Sequence, residues 1–236
     1  MTTGGPPAPH GRRADREEPI LITPAMLARR DRESRIDFEK GMRAVPPLTL
    51  GLILVNVLVF VWEVSSGALD NEASLLAAGA LAHERVFAGE LWRLFTAPFL
   101  HAGWDHLIGN CIVLYILGMA CEHALGAART ALVYGLSGLS GSYLSVLVNP
   151  GPSVGASGAV FGLTASVIVV LYKHQDAFYI RDKRIGFVLL VWGAYQVATG
   201  LLTPYIDNFA HIGGILGGAL TATYLKPRLL RGRQTG

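Results

Sequence analysis

Six apolar segments fill most of the chain between residues 48 and 225, and they decide what it can fold into. They run from about Leu48 to Val64, His106 to Met119 with flanks reaching Cys121, Ala131 to Val148, Val154 to Tyr172, Ile185 to Leu202, and Phe209 to Leu225. Runs of this length and character read as membrane-crossing helices. Composition agrees, since 51% of the residues are hydrophobic and only 16% are charged. Sixteen of the 28 glycines lie inside the apolar runs. That distribution fits close-packed membrane helices, where glycine lets backbones approach. The predicted fold is therefore an all-α membrane protein, a bundle of six transmembrane helices spanning residues 46–225.

The flanks differ in character. Residues 1–45 form an N-terminal tail, rich in Gly, Pro and Arg up to Pro19 and expected to be largely disordered. It has no apolar stretch of the kind a cleaved signal peptide carries. Residues 24–43 fit either a short amphipathic helix on the membrane surface or a solvated charged tail. Residues 226–236 form a short basic tail. Between the first two apolar segments, residues 65–103 are only half apolar and include Leu91 to Leu100. This loop is expected to lie in or on the interface, with Trp92 and Trp104 as anchors. Cys111 and Cys121 share one segment at a spacing that matches no metal motif, and they read as small core residues.

Basic residues set the expected orientation. With six spans both termini share a side, and that side carries eighteen of the twenty Lys and Arg. Only Arg85 and Arg93 fall on the other. The positive-inside rule then puts both termini in the cytoplasm. The Gly/Ala/Arg-leaning composition points to a bacterial cytoplasmic membrane.

In that topology the second, fourth and sixth spans all run from outside to inside. His106 and Asn110 lie in the first turns of the second, Ser157 at the start of the fourth, and His211 near the start of the sixth. At ~1.5 Å rise per residue all of these lie within roughly 10 Å of the outer interface. Buried polar groups need partners, and a water-filled cavity open to the outside would satisfy them together. Gly158 and Gly162 form a G-x-x-x-G beside the serine, and Gly214 and Gly218 form another beside His211. Such faces allow two helices to approach until Ser157 meets His211.

Taken singly, each residue has a plainer reading. Ser157 could be packing material, His211 a satisfied core histidine, and Asn110 an interhelical partner. Shared depth favours chemistry. A serine hydroxyl needs a base, and His211 is the candidate. The resulting oxyanion needs donors, which His106, the Asn110 amide and the Ser157 backbone N–H could supply. Asp207, one turn before His211, could orient it, but a residue at such a place is more often a helix-start cap. The combination is a serine–histidine dyad without a third acidic member.

With Trp92-Arg93, the stretch His101 to Asn110, Gly155-Ala-Ser157-Gly158, and Ala210 to Gly218, the chain resembles the rhomboid family of intramembrane serine proteases across about residues 46–225. The resemblance implies a six-helix core with a partly embedded first loop, a Ser157–His211 dyad, and oxyanion stabilisation by His106 and Asn110. It implies hydrolysis of peptide bonds in or near transmembrane segments of membrane proteins, with the lipid bilayer as surroundings. No metal, other cofactor, nucleotide or nucleic acid is implied. Phe161 would stack on the histidine ring where many members have tyrosine. His101, Trp92 and Arg93 would support the first loop, and Gly155, Gly158, Gly214 and Gly218 would allow close packing. A catalytically inactive relative that binds transmembrane helices in quality control is the alternative, and solute transport is a third, minor reading.

Overall fold

A computed structural model describes residues 35–42, 45–149, 151–180 and 206–233, together with Met1 and scattered positions within 23–27 and 191–200. The chain divides into two units, Met1–Ser34 and Arg35–Gly236. Among the described residues the second unit is mostly helical. It contains β1 (Ile36–Asp37), α1 (Pro47–Ser66), α2 (Glu72–Ala78), α3 (His83–Phe87), α4 (Arg93–Thr96) and a 3-10 turn (Ala97–Phe99). It continues with α5 (Trp104–Leu125), α6 (Ala127–Val148), α7 (Ser157–Lys173), β2 (Phe178–Tyr179), α8 (Asn208–Tyr224) and a 3-10 stretch (Arg228–Arg233).

The helix α1 begins at Pro47, where a missing N–H costs nothing and the ring presets φ. No side chain of its own caps it. The Glu122 carboxylate on α5 accepts the Leu48 and Thr49 N–H groups at 3.2 and 3.0 Å and the Thr49 hydroxyl at 2.9 Å. A carboxylate thus sits at the positive pole of α1 and satisfies its orphan donors. Gly67 at φ 73° ends the helix in a left-handed cap. Most of α1 is exposed, with Leu54, Leu58 and Val61 pointing outward, which suits a peripheral helix against lipid.

Among the described residues three helices, α1, α5 and α6, are long and apolar enough to cross a bilayer, with mean hydropathies of 2.1, 1.5 and 1.5. The helices α7 and α8 are 17 residues each, or about 25 Å. Apolar helices of this kind make the chain a membrane protein. The fifth expected segment, 185–202, lies largely outside the described residues. The fourth begins later than its apolar run, because Val154 to Ala156 is non-helical and the helix starts at Ser157.

Central α7 is buried on most sides, packed against α5, α6 and α8, and its Val160, Leu163 and Val170 join Leu114, Leu117, Val133 and Tyr134 in the core. Part of the stretch read as tail docks onto this unit. Ile36 and Asp37 pair in parallel with Phe178 and Tyr179. Phe38 is buried, edge-on to Phe178 at 5.8 Å and to His123 at 5.7 Å.

Candidate active site

The site forms where the first turns of α5, α7 and α8 meet the loop between α1 and α5. Ser157 is the first residue of α7 and half-buried. The strand-like approach to it is held by the preceding loop. Ser153 and Leu81 exchange backbone hydrogen bonds at 2.9 Å each, and the Gly155 N–H donates to the Ala97 carbonyl at 3.0 Å. Gly155 has φ +123°, a conformation that side-chain-bearing residues rarely adopt. Its missing side chain is also spatially required. A Cβ there would lie 2.5 Å from His106 Cε1, 2.7 Å from His106 Nε2 and 3.6 Å from Asn110 Nδ2. His106 and Asn110 therefore lie directly over the backbone that leads into Ser157.

His211 comes from α8. That helix is capped by Asp207, whose carboxylate accepts the Phe209 and Ala210 N–H groups at 3.1 and 3.0 Å. Close approach of α7 and α8 brings the histidine to the serine. A Cβ on Gly214 would collide with the Gly158 carbonyl, and one on Gly218 with the Gly162 carbonyl. The expected glycine faces are in contact. A third helix takes part, since a Cβ on Gly141 of α6 would lie 2.7 Å from the Ala210 carbonyl, and Ser140 Oγ donates to the Gly213 carbonyl at 2.9 Å.

The outcome is a Ser157 Oγ to His211 Nε2 distance of 2.9 Å. Phe161, one turn along α7, stacks on the His211 ring with centroids 4.4 Å apart and planes at 28°. His211 Nδ1 is buried and has no hydrogen-bond partner among the described residues. Asn110 Nδ2 is likewise a buried donor without a partner among them. A small open pocket lies beside Gly155 and Gly158, lined also by Pro98, Gly141, Ser142 and Ser153.

His101 is fully buried outside the helices. Its backbone N–H donates to both Glu63 carboxylate oxygens at 3.1 Å, its Nδ1 lies 3.2 Å from the Phe99 carbonyl, and its ring sits edge-on to His106 at 5.2 Å. Burial, and next the neighbouring His106, push its pKa down to about 4 against the Phe99 hydrogen bond. His101 is therefore neutral at physiological pH. Arg93 is buried and gives its guanidinium to the Leu76 and Ala80 carbonyls at 2.5 and 2.8 Å and to Glu90 at 2.7 Å. Trp92 is half-exposed, packs over Gly79 and lies 4.5 Å from the Arg93 guanidinium. Both hold the first loop together, away from the Ser157–His211 pair.

Burial alone would raise the Asp207 carboxyl. Hydrogen bonds from the Ser145 and Ser153 hydroxyls, the Ala210 N–H and Asn149 outweigh it and hold the group below its ordinary range. Three contributors went unread in the sequence. Glu63 and Glu122 sit inside or at the end of apolar runs, where a lone carboxylate gives no sign of the backbone it will cap. Ser145 reads as one small residue among many.

A Rhomboid domain family model matches residues 88–228, more than half of the chain. Similar proteins include the rhomboid protease GluP of Bacillus subtilis, 31% identical over 201 residues covering 85% of this chain and 39% of that protein. RHOMBOID-like protein 1 of Arabidopsis thaliana is 42% identical over 133 residues, covering 56% of this chain and 33% of that one. The rhomboid protease AarA of Providencia stuartii is 31% identical, with 84% of this chain and 79% of that protein covered. The chain thus spans well under half the length of the first two.

Proposed function

The chain belongs to the rhomboid family, and on that premise we propose that it is an intramembrane serine endopeptidase that cuts peptide bonds in or near the transmembrane segments of other membrane proteins. Ser157 is the nucleophile and His211 its base. The observation that carries this reading is the 2.9 Å separation of Ser157 Oγ and His211 Nε2 at the starts of two helices. In the productive tautomer Nε2 accepts the hydroxyl proton while Oγ bonds the substrate carbonyl carbon. The developing oxyanion takes hydrogen bonds from Asn110 Nδ2, His106 and the Ser157 backbone N–H. His211 then returns the proton to the leaving amine, and water resolves the acyl-enzyme by the same steps in reverse. What supports the oxyanion role is the unpartnered Asn110 donor and the closeness of both side chains to Gly155.

The domain spans residues 46–225 with six membrane helices, the fifth lying on 185–202. Both termini are cytoplasmic and the site opens toward the extracytoplasmic side of a bacterial cell membrane, as the distribution of Lys and Arg supports. Substrates are membrane proteins whose helix unwinds near that face, because the dyad needs an extended peptide.

Reaction with a fluorophosphonate probe tests the assignment. The parent protein should be labelled on Ser157, and His211→Ala should lose labelling while staying folded. Labelling that persists in His211→Ala at the parent rate would remove the histidine from the mechanism.

A further inference from the structure

The position of His211 poses an electrostatic problem. It is the fourth residue of α8, inside the first turn. Unpaired N–H groups give that end of a helix a partial positive charge. This field opposes the imidazolium that must form when His211 takes the Ser157 proton.

Among the described residues, few groups face the ring. From α7 come the uncharged Ser157 and Phe161. From α5 comes His106, a second imidazole, which brings no negative charge. No charged residue follows Arg129 along α6. The ring's Nδ1 has no hydrogen-bond partner among the described residues, so no carboxylate there touches it directly. Its own helix supplies Asp207, four residues before it. As the cap it stands one turn before the histidine, and its carbonyl accepts the His211 N–H at 3.3 Å. The Asp207 carboxylate is fixed by the Phe209 and Ala210 N–H groups and by the Ser145 hydroxyl, and these donors keep it ionised.

We propose that Asp207 is a positioning residue for His211, whose fixed negative charge offsets the α8 field and stabilises the imidazolium while its bond to Ser145 ties the start of α8 to the end of α6. This rests on the Ser157–His211 reading. The proton leaves Ser157 Oγ for His211 Nε2 as Oγ forms its new bond, and Nε2 later gives it to the leaving amine. Asp207 exchanges no proton and acts only through its charge.

The test is the rate at which a fluorophosphonate probe modifies Ser157 in the purified full chain, measured from about pH 3 to 8.5. Asparagine at 207 still caps the helix but carries no charge. Without the charge the imidazolium is less stable, so the ring loses its proton at lower pH and is a weaker base. In Asp207→Asn the acid limb should move down by about one pH unit, with a plateau rate about tenfold lower, the same free energy read two ways. Asp207→Ser, a second uncharged cap, should behave alike. Ser145→Ala keeps the charge and cuts the tie, so its acid limb should stay put while its thermal midpoint falls.

An unmoved limb in both uncharged variants overturns the proposal, as does an equal movement in Ser145→Ala. Loss of folding in both uncharged variants would reduce Asp207 to a cap and overturn it too. Ser157→Ala separates this from the underlying reading. If that variant is labelled like the parent, the dyad itself is wrong, whereas labelling confined to Ser157 with an unmoved limb sinks only the role of Asp207.

Discussion

Ser157 stands at the first position of α7, so its own N–H is one of the donors that a helix start leaves unpaired. Together with Asn110 Nδ2, this gives the proposed oxyanion two neutral donors that need no rearrangement. Asn110→Ala should lower the cleavage rate by on the order of a hundredfold with little change in KM, because the interaction is made in the transition state. Gly155→Ala should be worse than the size of a methyl suggests. Its φ alone costs about 1–2 kcal/mol for an L side chain, and the new Cβ strikes His106. Both folding and labelling should suffer. Asp207 makes a separate prediction about stability. Its carboxyl is depressed in the folded state, so its contribution is present above the ordinary carboxylate range and is lost as pH falls through the depressed value. The gap in thermal midpoint between parent and Asp207→Asn should therefore close on acidification below about pH 4, where the unfolded carboxyl also protonates. A gap that stays constant would show that the charge does not contribute.

At the scale of elements, the site depends on how closely α7 and α8 can lie. Gly214→Val should separate them, lower the thermal midpoint and abolish labelling, because the Gly158 carbonyl occupies the space a side chain would need. Gly51→Ala on exposed α1 is the control, since no described atom lies within 4 Å of its added carbon, and it should leave activity intact. The close approach of α7 and α8 was legible in the sequence, where G-x-x-x-G patterns follow Ser157 and His211. The part α6 plays was not. Gly141 and Ser140 carry no motif, and only the three-helix packing shows that they meet Ala210 and Gly213. Nor was the start of α7 legible. The apolar run begins at Val154, and hydropathy does not register that Gly155 turns the chain before the helix can begin.

For the molecule as a whole, the apolar runs outlined the helical bundle, and the His106, Asn110, Ser157 and His211 positions pointed to one end of it. What sequence patterns could not convey is how the peripheral parts are fastened. Leu81 and Ala97 hold the loop before Ser157 through backbone bonds, which have no sequence signature. Glu63 fastens His101, and Glu122 fastens the start of α1. Glu122→Ala would leave two α1 N–H groups without this partner, and a lost buried partner costs about 1–3 kcal/mol. The variant should unfold at lower temperature yet still label at Ser157 when folded, since Glu122 is remote from the dyad. The central claim, that this bundle is a protease built on Ser157, is tested most directly by co-expressing it with a reporter membrane protein carrying a cleavable transmembrane helix. The parent should release the reporter's outer portion, and Ser157→Ala, equally folded, should release none. Equal release by the two would contradict it.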